Sequence, residues 1–111
     1  MKTGGKVELR LFASDSLISA RTVYHWLEIL EGFPKDAYVL RVRDVSAAST
    51  AVSQLELDAY GVAFTPCMVA RGNGRTARII GELATPEARK TAIGRLRVVG
   101  LVPLARDQQA G

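Results

Sequence analysis

The chain has 111 residues, a formal net charge of +4, and a composition that is 48% hydrophobic and 23% charged. A chain of this length typically folds as one domain, and no run approaches the ~18 apolar residues of a membrane helix. One cysteine and one histidine exclude an internal disulfide and a four-ligand sulfur and nitrogen metal site. We predict no metal and no cofactor. The opening residues do not resemble a secretion signal, so we expect a cytoplasmic protein.

Basic residues give the chain a pI near 9.6, but they are spread along the sequence and are not interleaved with aromatic residues. An acidic partner would suit this charge. A nucleic acid is unsupported as a partner by this pattern, and no membrane is expected because no run is long and apolar enough to span one.

Residues 1 to 6 are predicted to form a flexible leader. Val7, Leu9 and Leu11 then alternate with polar residues, which predicts a half-buried strand. From Leu17 to about Gly32 the period becomes helical, and one apolar stripe is predicted to face the core. Its members are Ala20, Val23, Tyr24, Leu27 and Leu30.

Three further apolar residues, Trp26, Ile29 and Phe33, lie on the opposite side of this predicted helix. A single buried face does not account for them. Loops or the tail of the chain could cover them, or they could form a surface for a partner or for self-association into a homo-oligomer. We therefore consider them candidate partner-binding residues.

The middle of the chain predicts a strand and a weak helix. Tyr38 to Val45 alternates, with Arg41 and Arg43 on the polar side as further candidates for partner binding. Residues 46 to 59 have Ala48, Val52, Leu55 and Ala59 at helical spacing. The acidic residues predicted to lie on solvated helix faces are Glu28, Glu31, Glu56 and Asp58.

Two short strands, Cys67 to Arg71 and Thr76 to Ile80, flank the sequence Gly72-Asn73-Gly74. Asn-Gly favours a tight hairpin because both residues tolerate positive φ. Thr85-Pro86-Glu87 predicts the start of the last helix. Its predicted inward side chains are Ala88, Ala92, Ile93, Leu96 and Val99.

The element order β-α-β-α-β-β-α, with a Thr-Pro pair entering the hairpin, is typical of a thioredoxin-like α/β fold. A four-stranded mixed sheet would carry helices on both faces. Residues 7 to 102 would form this domain, and residues 103 to 111 a flexible tail.

Catalytic chemistry is not supported by this sequence. Thioredoxin-type exchange needs a cysteine where the first strand meets the first helix, and this chain has Ala13-Ser14-Asp15-Ser16 there. No Gly-x-Ser-x-Gly pattern indicates a hydrolase. Cys67, which follows Thr65-Pro66, is either a compact core residue or an exposed sensing thiol. We predict no enzyme, with thiol-based redox or sensing activity as the alternative.

The stretch from Thr65 onward resembles the KaiB family of circadian-clock proteins. Its strand entry is Thr65-Pro66-Cys67-Met68, its most specific block is Arg78-Ile79-Ile80-Gly81-Glu82-Leu83, and Ile93-Gly94 lies in the last helix. "LRLFASDSLISARTVYHWLEIL" and "LRVRDV" are similar to the family's first strand and helix and its second strand. The resemblance covers about residues 7 to 101.

The resemblance implies a non-catalytic module that docks on a KaiC-like ATPase ring or serves a related clock histidine kinase. An orphan member in a host without a clock would differ only in its partner. The family also implies exchange between a tetrameric ground fold and a monomeric thioredoxin-like binding fold, with rewiring of the second half of the chain. The residues that could matter structurally or for such a switch are Thr65, Pro66, Gly72, Asn73, Gly74, Gly81 and Gly94.

The chain departs from the family between the Thr-Pro strand and the Arg78 block. Relatives are proline-rich there, whereas this chain has Arg71-Gly72-Asn73-Gly74-Arg75. Proline disfavours regular strand pairing and Asn-Gly promotes a hairpin. We therefore expect a stronger preference for the thioredoxin-like arrangement than a proline-containing relative has. Backbone chemical shifts in solution should report strands over residues 67 to 80, and helical shifts there would contradict this expectation.

Overall fold

The computed structural model describes residues 6–14, 16–45 and 51–104 and contains one four-stranded sheet with helices on both faces. The elements are β1 (Val7–Ala13), α1 (Leu17–Leu30), β2 (Tyr38–Asp44), α2 (Ala51–Ala59), β3 (Cys67–Gly72), β4 (Arg75–Ile80) and α3 (Pro86–Val98). A short 3-10 turn, Lys35–Ala37, precedes β2. The predicted element order and fold class are confirmed.

The strand order across the sheet is β2-β1-β3-β4. The central strand β1 pairs parallel with β2 and antiparallel with β3, and β3 pairs antiparallel with β4. None of the described helices is both long enough and apolar enough to cross a membrane.

The main core lies between one face of the sheet and the helices α1 and α3. Alternate residues of β1, including Leu9 and Leu11, enter it together with Met68 and Ala70 of β3. The inward side of α3 agrees with the prediction, because Ala92, Leu96 and Val99 are buried and Ala88 and Ile93 partly so. The opposite face of the sheet carries α2 and a smaller cluster around Phe12, Val45, Cys67 and Val69.

The predicted orientation of α1 is wrong. Trp26 and Phe33 are each 1% exposed and Ile29 is 9% exposed, so these three candidate partner residues belong to the core. Of the predicted stripe, Tyr24 and Leu27 are instead exposed. Burying a tryptophan and a phenylalanine removes more apolar surface from water than burying an alanine-containing stripe.

Two polar residues lie on the buried face of α1, so the sequence pattern did not identify that face. Ser19 and Thr22 are buried beside Trp26 and interrupt the apolar pattern in the sequence. Their burial is tolerated because the Thr22 hydroxyl donates to the Ile18 carbonyl at 2.8 Å, and the Ser19 hydroxyl accepts from the Ser14 amide at 3.0 Å.

The apolar residues at helical spacing in α2 do not form its buried side where they are described. Leu55 is 68% exposed and Ala59 is exposed, while Glu56 and Leu57 are partly buried. Ala48 lies outside the described residues, as do residues 1–5 and 105–111 of the predicted leader and tail, and the side chain of Val52 is not described. At the tail boundary, the Leu104 amide donates to the Gly32 carbonyl at 2.8 Å.

The hairpin between β3 and β4 has the turn that its sequence predicts. Asn73 and Gly74 have φ values of 54° and 71°, and Gly72 pairs with Arg75 across the two-residue loop. A Cβ on Gly72 would lie 2.4 Å from the carbonyl oxygen of Val99, so the end of α3 packs directly against the hairpin backbone. Gly81 has a φ of 95°, whereas a Cβ on the helical Gly94 would meet no atom within 4 Å.

Gly72 and Gly94 give opposite predictions for replacement by alanine. Gly72→Ala should destabilise the protein by about 1–3 kcal/mol, because its methyl group would overlap backbone that cannot rotate away. Gly94→Ala should stabilise it by about 0.5–1 kcal/mol, because alanine loses less entropy in a helix. Urea unfolding of both variants measures the difference, and equal effects would contradict the close packing at Gly72.

Candidate functional site

The end of the sheet where a thioredoxin-like redox centre would lie carries serines and a cis-proline. Phe12 pairs with Cys67, so the residues after Phe12 lie beside those before Cys67, where the Thr65-Pro66 bond is cis. The Ser16 hydroxyl caps α1 by accepting from the Ser19 amide at 3.1 Å. The described residues here therefore offer helix-capping hydroxyls and no thiol at the α1 terminus.

Cys67 itself is a core residue. Its side chain packs with Phe12, Val45 and Val69 and is 1% exposed. Burial raises the pKa of the Cys67 thiol, and the positive charge of Arg78 and a backbone hydrogen bond at Ile79 offset that effect only in part. A buried thiol with a raised pKa is a poor nucleophile at neutral pH. The geometry supports the compact-hydrophobe alternative.

The α2 side of the sheet gathers arginines from all four strands. Paired residues on neighbouring strands point to the same face. The pairings Arg10 with Arg41, Arg10 with Val69, and Val69 with Arg78 form one row across the sheet. The flanking rows add Arg43 beside Phe12 and Arg71 beside Glu8. We call this surface the basic face and define it by Arg10, Arg41, Arg43, Arg71 and Arg78.

Glu56 of α2 pairs with two of these arginines. The Arg10 Nη1 lies 2.7 Å from Glu56 Oε2, and the Arg43 Nη2 lies 2.7 Å from Glu56 Oε1. The Arg43 Nε also donates to both carboxylate oxygens, at 3.0 and 3.1 Å. The other amino group of Arg10, Nη2, lies 2.8 Å from Glu8 Oε2. Bidentate pairs of this kind fix geometry as well as charge.

Glu56 is therefore not on a solvated face, and that prediction was wrong. Its side chain is only 15% exposed. The hydrogen bonds from Arg43 lower the pKa of the Glu56 carboxyl. Desolvation raises this pKa by a lesser amount, and the hydrogen bond from Arg10 lowers it further. For Arg10, burial lowers the pKa of the guanidinium, but the bonds to Glu56 and Glu8 outweigh it and leave that pKa raised. Both groups are charged at neutral pH.

Tyr60, just after α2, contacts three arginines of the basic face. The guanidinium carbons of Arg10 and Arg71 lie 4.6 and 4.0 Å from the centre of its ring. The Tyr60 hydroxyl donates to Glu8 Oε2 at 3.0 Å, and the Tyr60 carbonyl accepts from the Arg78 Nε at 2.8 Å. These contacts order Arg10 and Arg71 around the ring and fix Arg78 to the backbone of the same residue.

Arg41 differs from the other arginines of the basic face in having no partner among the described residues. It is exposed, and it has no hydrogen bond or ion pair with another residue in the described structure. It lines a cleft of about 540 Å³ together with Arg10, Val42, Arg43 and Glu56. Arg43 is 47% exposed at the same cleft. The role predicted for Arg41 and Arg43 in partner binding stays a prediction.

Arg10, Arg71 and Arg78 were not predicted as site residues because they are far apart in the chain. A signal was present for Arg10 and Arg78, which lie among polar positions of their strands, but not for Arg71, whose phase in β3 also contains Cys67 and Val69. Glu56 and Tyr60 gave no comparable signal, because only the tertiary packing of α2 brings them to the sheet.

Comparison with known proteins supports the fold. No family model and no curated protein sequence matches the chain. Among solved structures, the chain is similar to the C-terminal domain of DsbD from Neisseria meningitidis in its oxidised form. The TM-score is 0.58 at 18% identity, covering 81% of this chain and 80% of that one. At this identity the likeness supports a thioredoxin-like fold and carries no residue role.

The burial of Cys67 predicts slow labelling of the native protein. A disulfide reagent at neutral pH should react with it roughly a hundredfold more slowly than with the urea-unfolded chain, because the thiol must be exposed by opening before it can react. The unfolded chain is the matched control. Labelling of the native protein at the unfolded rate would instead support an accessible sensing thiol.

Proposed function

We propose that this chain is a non-catalytic protein-binding module that docks through its basic face. The observation that carries the proposal is the cleft in which the exposed Arg41, without an ion pair among the described residues, lies beside the half-exposed Arg43. Because Glu56 already orders Arg43, that arginine loses less side-chain entropy on binding than a free one. Such a surface favours a partner with complementary negative charge.

The partner class comes from the sequence resemblance to the KaiB family. We infer a KaiC-like ATPase ring or a related clock histidine kinase as the docking partner. The family-like block that starts at Arg78 contributes that arginine to the basic face, so the family-like sequence and the charged surface overlap. Exchange with a second fold and assembly into a homo-oligomer belong to the same proposal, since both are implied by the resemblance.

A thiol-based redox function is the second candidate. What favours it is that the DsbD domain to which the chain is similar is described in an oxidised form. Two features of this chain weigh against it: Cys67 is the single cysteine, and it is 1% exposed. A redox role would therefore require a second thiol from another molecule and an opening of the small core around Phe12.

Affinity capture with matched charge reversals tests the docking proposal. The tagged chain should retain a KaiC-like ATPase or a histidine kinase from its host, identified by mass spectrometry, to a different extent with and without ATP. Arg41→Glu should reduce retention about tenfold or more, because it places a like charge opposite an acidic surface. Lys90 is an exposed residue of α3, which packs on the other face of the sheet. Lys90→Glu makes the same change of charge there, and this variant should retain the partner normally.

Two outcomes would contradict the docking proposal. One is retention of neither an ATPase nor a kinase. The other is equal retention by Arg41→Glu and the wild type. Capture that disappears with a reductant and in Cys67→Ala would instead support the redox candidate.

A further inference from the structure

The carboxylate at the centre of the basic face belongs to the chain's own helix α2. Glu56 occupies the position between Arg10 and Arg43 that faces the cleft, and it accepts hydrogen bonds from both. A carboxylate is thus already bound there with the geometry that an incoming acidic side chain would need.

Two arginines near Glu56 have hydrogen-bond donors that no described residue accepts from. The Arg10 Nε is buried and has no hydrogen-bond partner among the described residues. Arg41 lines the same cleft without an ion pair among the described residues. Buried donors without partners are uncommon and raise the free energy of the state that contains them. The cleft can therefore accept more negative charge than Glu56 supplies.

The described side chains of helix α2 make few contacts with the sheet. The helix has nine residues, and Leu55 on it is 68% exposed. Leu57 is its described apolar contribution to the small core, where Tyr60 and Val62 join it from the segment that follows. Short helices are marginal without tertiary contacts, so the ion pairs of Glu56 are a principal attachment of α2.

We propose that Glu56 acts as an internal competitor: an acidic segment of the partner protein places a carboxylate between Arg10, Arg41 and Arg43 and displaces Glu56 together with α2. This inference rests on the proposed docking function and adds the chemistry of the contact and its regulation. Exchange of one carboxylate for another keeps Arg10 and Arg43 paired, while the incoming segment also gains Arg41. The internal pair lowers the apparent affinity and so restricts binding to segments that reach all three arginines.

An acidic protein segment fits this face better than a nucleic acid does. Recognition of single strands usually uses exposed aromatic rings on which bases stack. On the described basic face, Phe12 is fully buried, and the ring of Tyr60 already contacts Arg10 and Arg71. The group that the arginines bind in the structure is itself a carboxylate.

A pair of charge-matched variants tests the competition. A fluorescent octaglutamate peptide is titrated into the wild type, Glu56→Gln and Glu31→Gln. Glu31 is exposed at the end of α1 and pairs only with Lys35 among the described residues, so its variant carries the same change in net charge without touching the cleft. Glu56→Gln should bind the peptide roughly tenfold more tightly, and Glu31→Gln about as tightly as the wild type.

Equal or weaker binding by Glu56→Gln would overturn the proposal, as would equal tightening in both variants, which indicates a general charge effect. No binding of the peptide to the wild type at low salt would also overturn it. A single-stranded oligonucleotide is titrated in parallel. If it binds more tightly than the peptide and responds to Glu56→Gln, the surface serves nucleic acid and the acidic-segment proposal is wrong.

Hydrogen exchange of the wild type provides a second measurement that does not depend on the folding of Glu56→Gln. Saturation with octaglutamate should accelerate exchange of amides 54 to 60 about tenfold or more, because α2 loses its ion pairs. Unchanged or slower exchange there would overturn the displacement of α2. The docking proposal would survive that result if Arg41→Glu still lost its captured ATPase or kinase, so the two proposals fail separately.

Discussion

The antiparallel pairing of β1 with β3 is the constraint on which the rest of the structure depends. It places Leu9 and Leu11 against α1 and α3, and it turns Arg10 and Phe12 to the other side of the sheet. A shift of one residue in this register would exchange the two faces and bury arginine in the main core. The same pairing sets Cys67 beside Phe12, in the small core and away from solvent.

The two faces of the sheet serve different purposes in this account. One is covered by α1 and α3 and supplies the apolar burial that stabilises the fold. On the other, among the described residues, the ion pairs of Glu56 add to a small apolar cluster in attaching the short α2. Partly buried ion pairs stabilise modestly but fix geometry well, which suits the proposed docking surface.

The thioredoxin-like scaffold carries no cysteine here at the start of α1. The position before α1 that would hold a reactive cysteine has Ser16 as a helix cap, and the chain's single thiol lies inside the sheet. Scaffolds of one fold often serve unrelated functions, so function has to be argued from the side chains present. In this chain those side chains are arginines on the face opposite the main core.

Much of the fold followed from local patterns, whereas the site did not. The alternation in β1 and the Asn73-Gly74 turn depend on neighbours in sequence, and both were predictable. The face of α1 was not, because Ser19 and Thr22 are polar yet buried through bonds that exist only in the folded chain. Glu56 illustrates the same limit, since its partners Arg10 and Arg43 come from other elements.

The most direct test of the central claim is chemical-shift mapping of the labelled chain with the protein partner that it captures. Docking through the basic face should perturb amides at Arg10, Arg41 and Arg43 and along α2. Perturbations confined to the end of the sheet around Ser14, Thr65 and the start of α1 would contradict this docking. That pattern would place the functional surface where a thioredoxin-like redox centre lies.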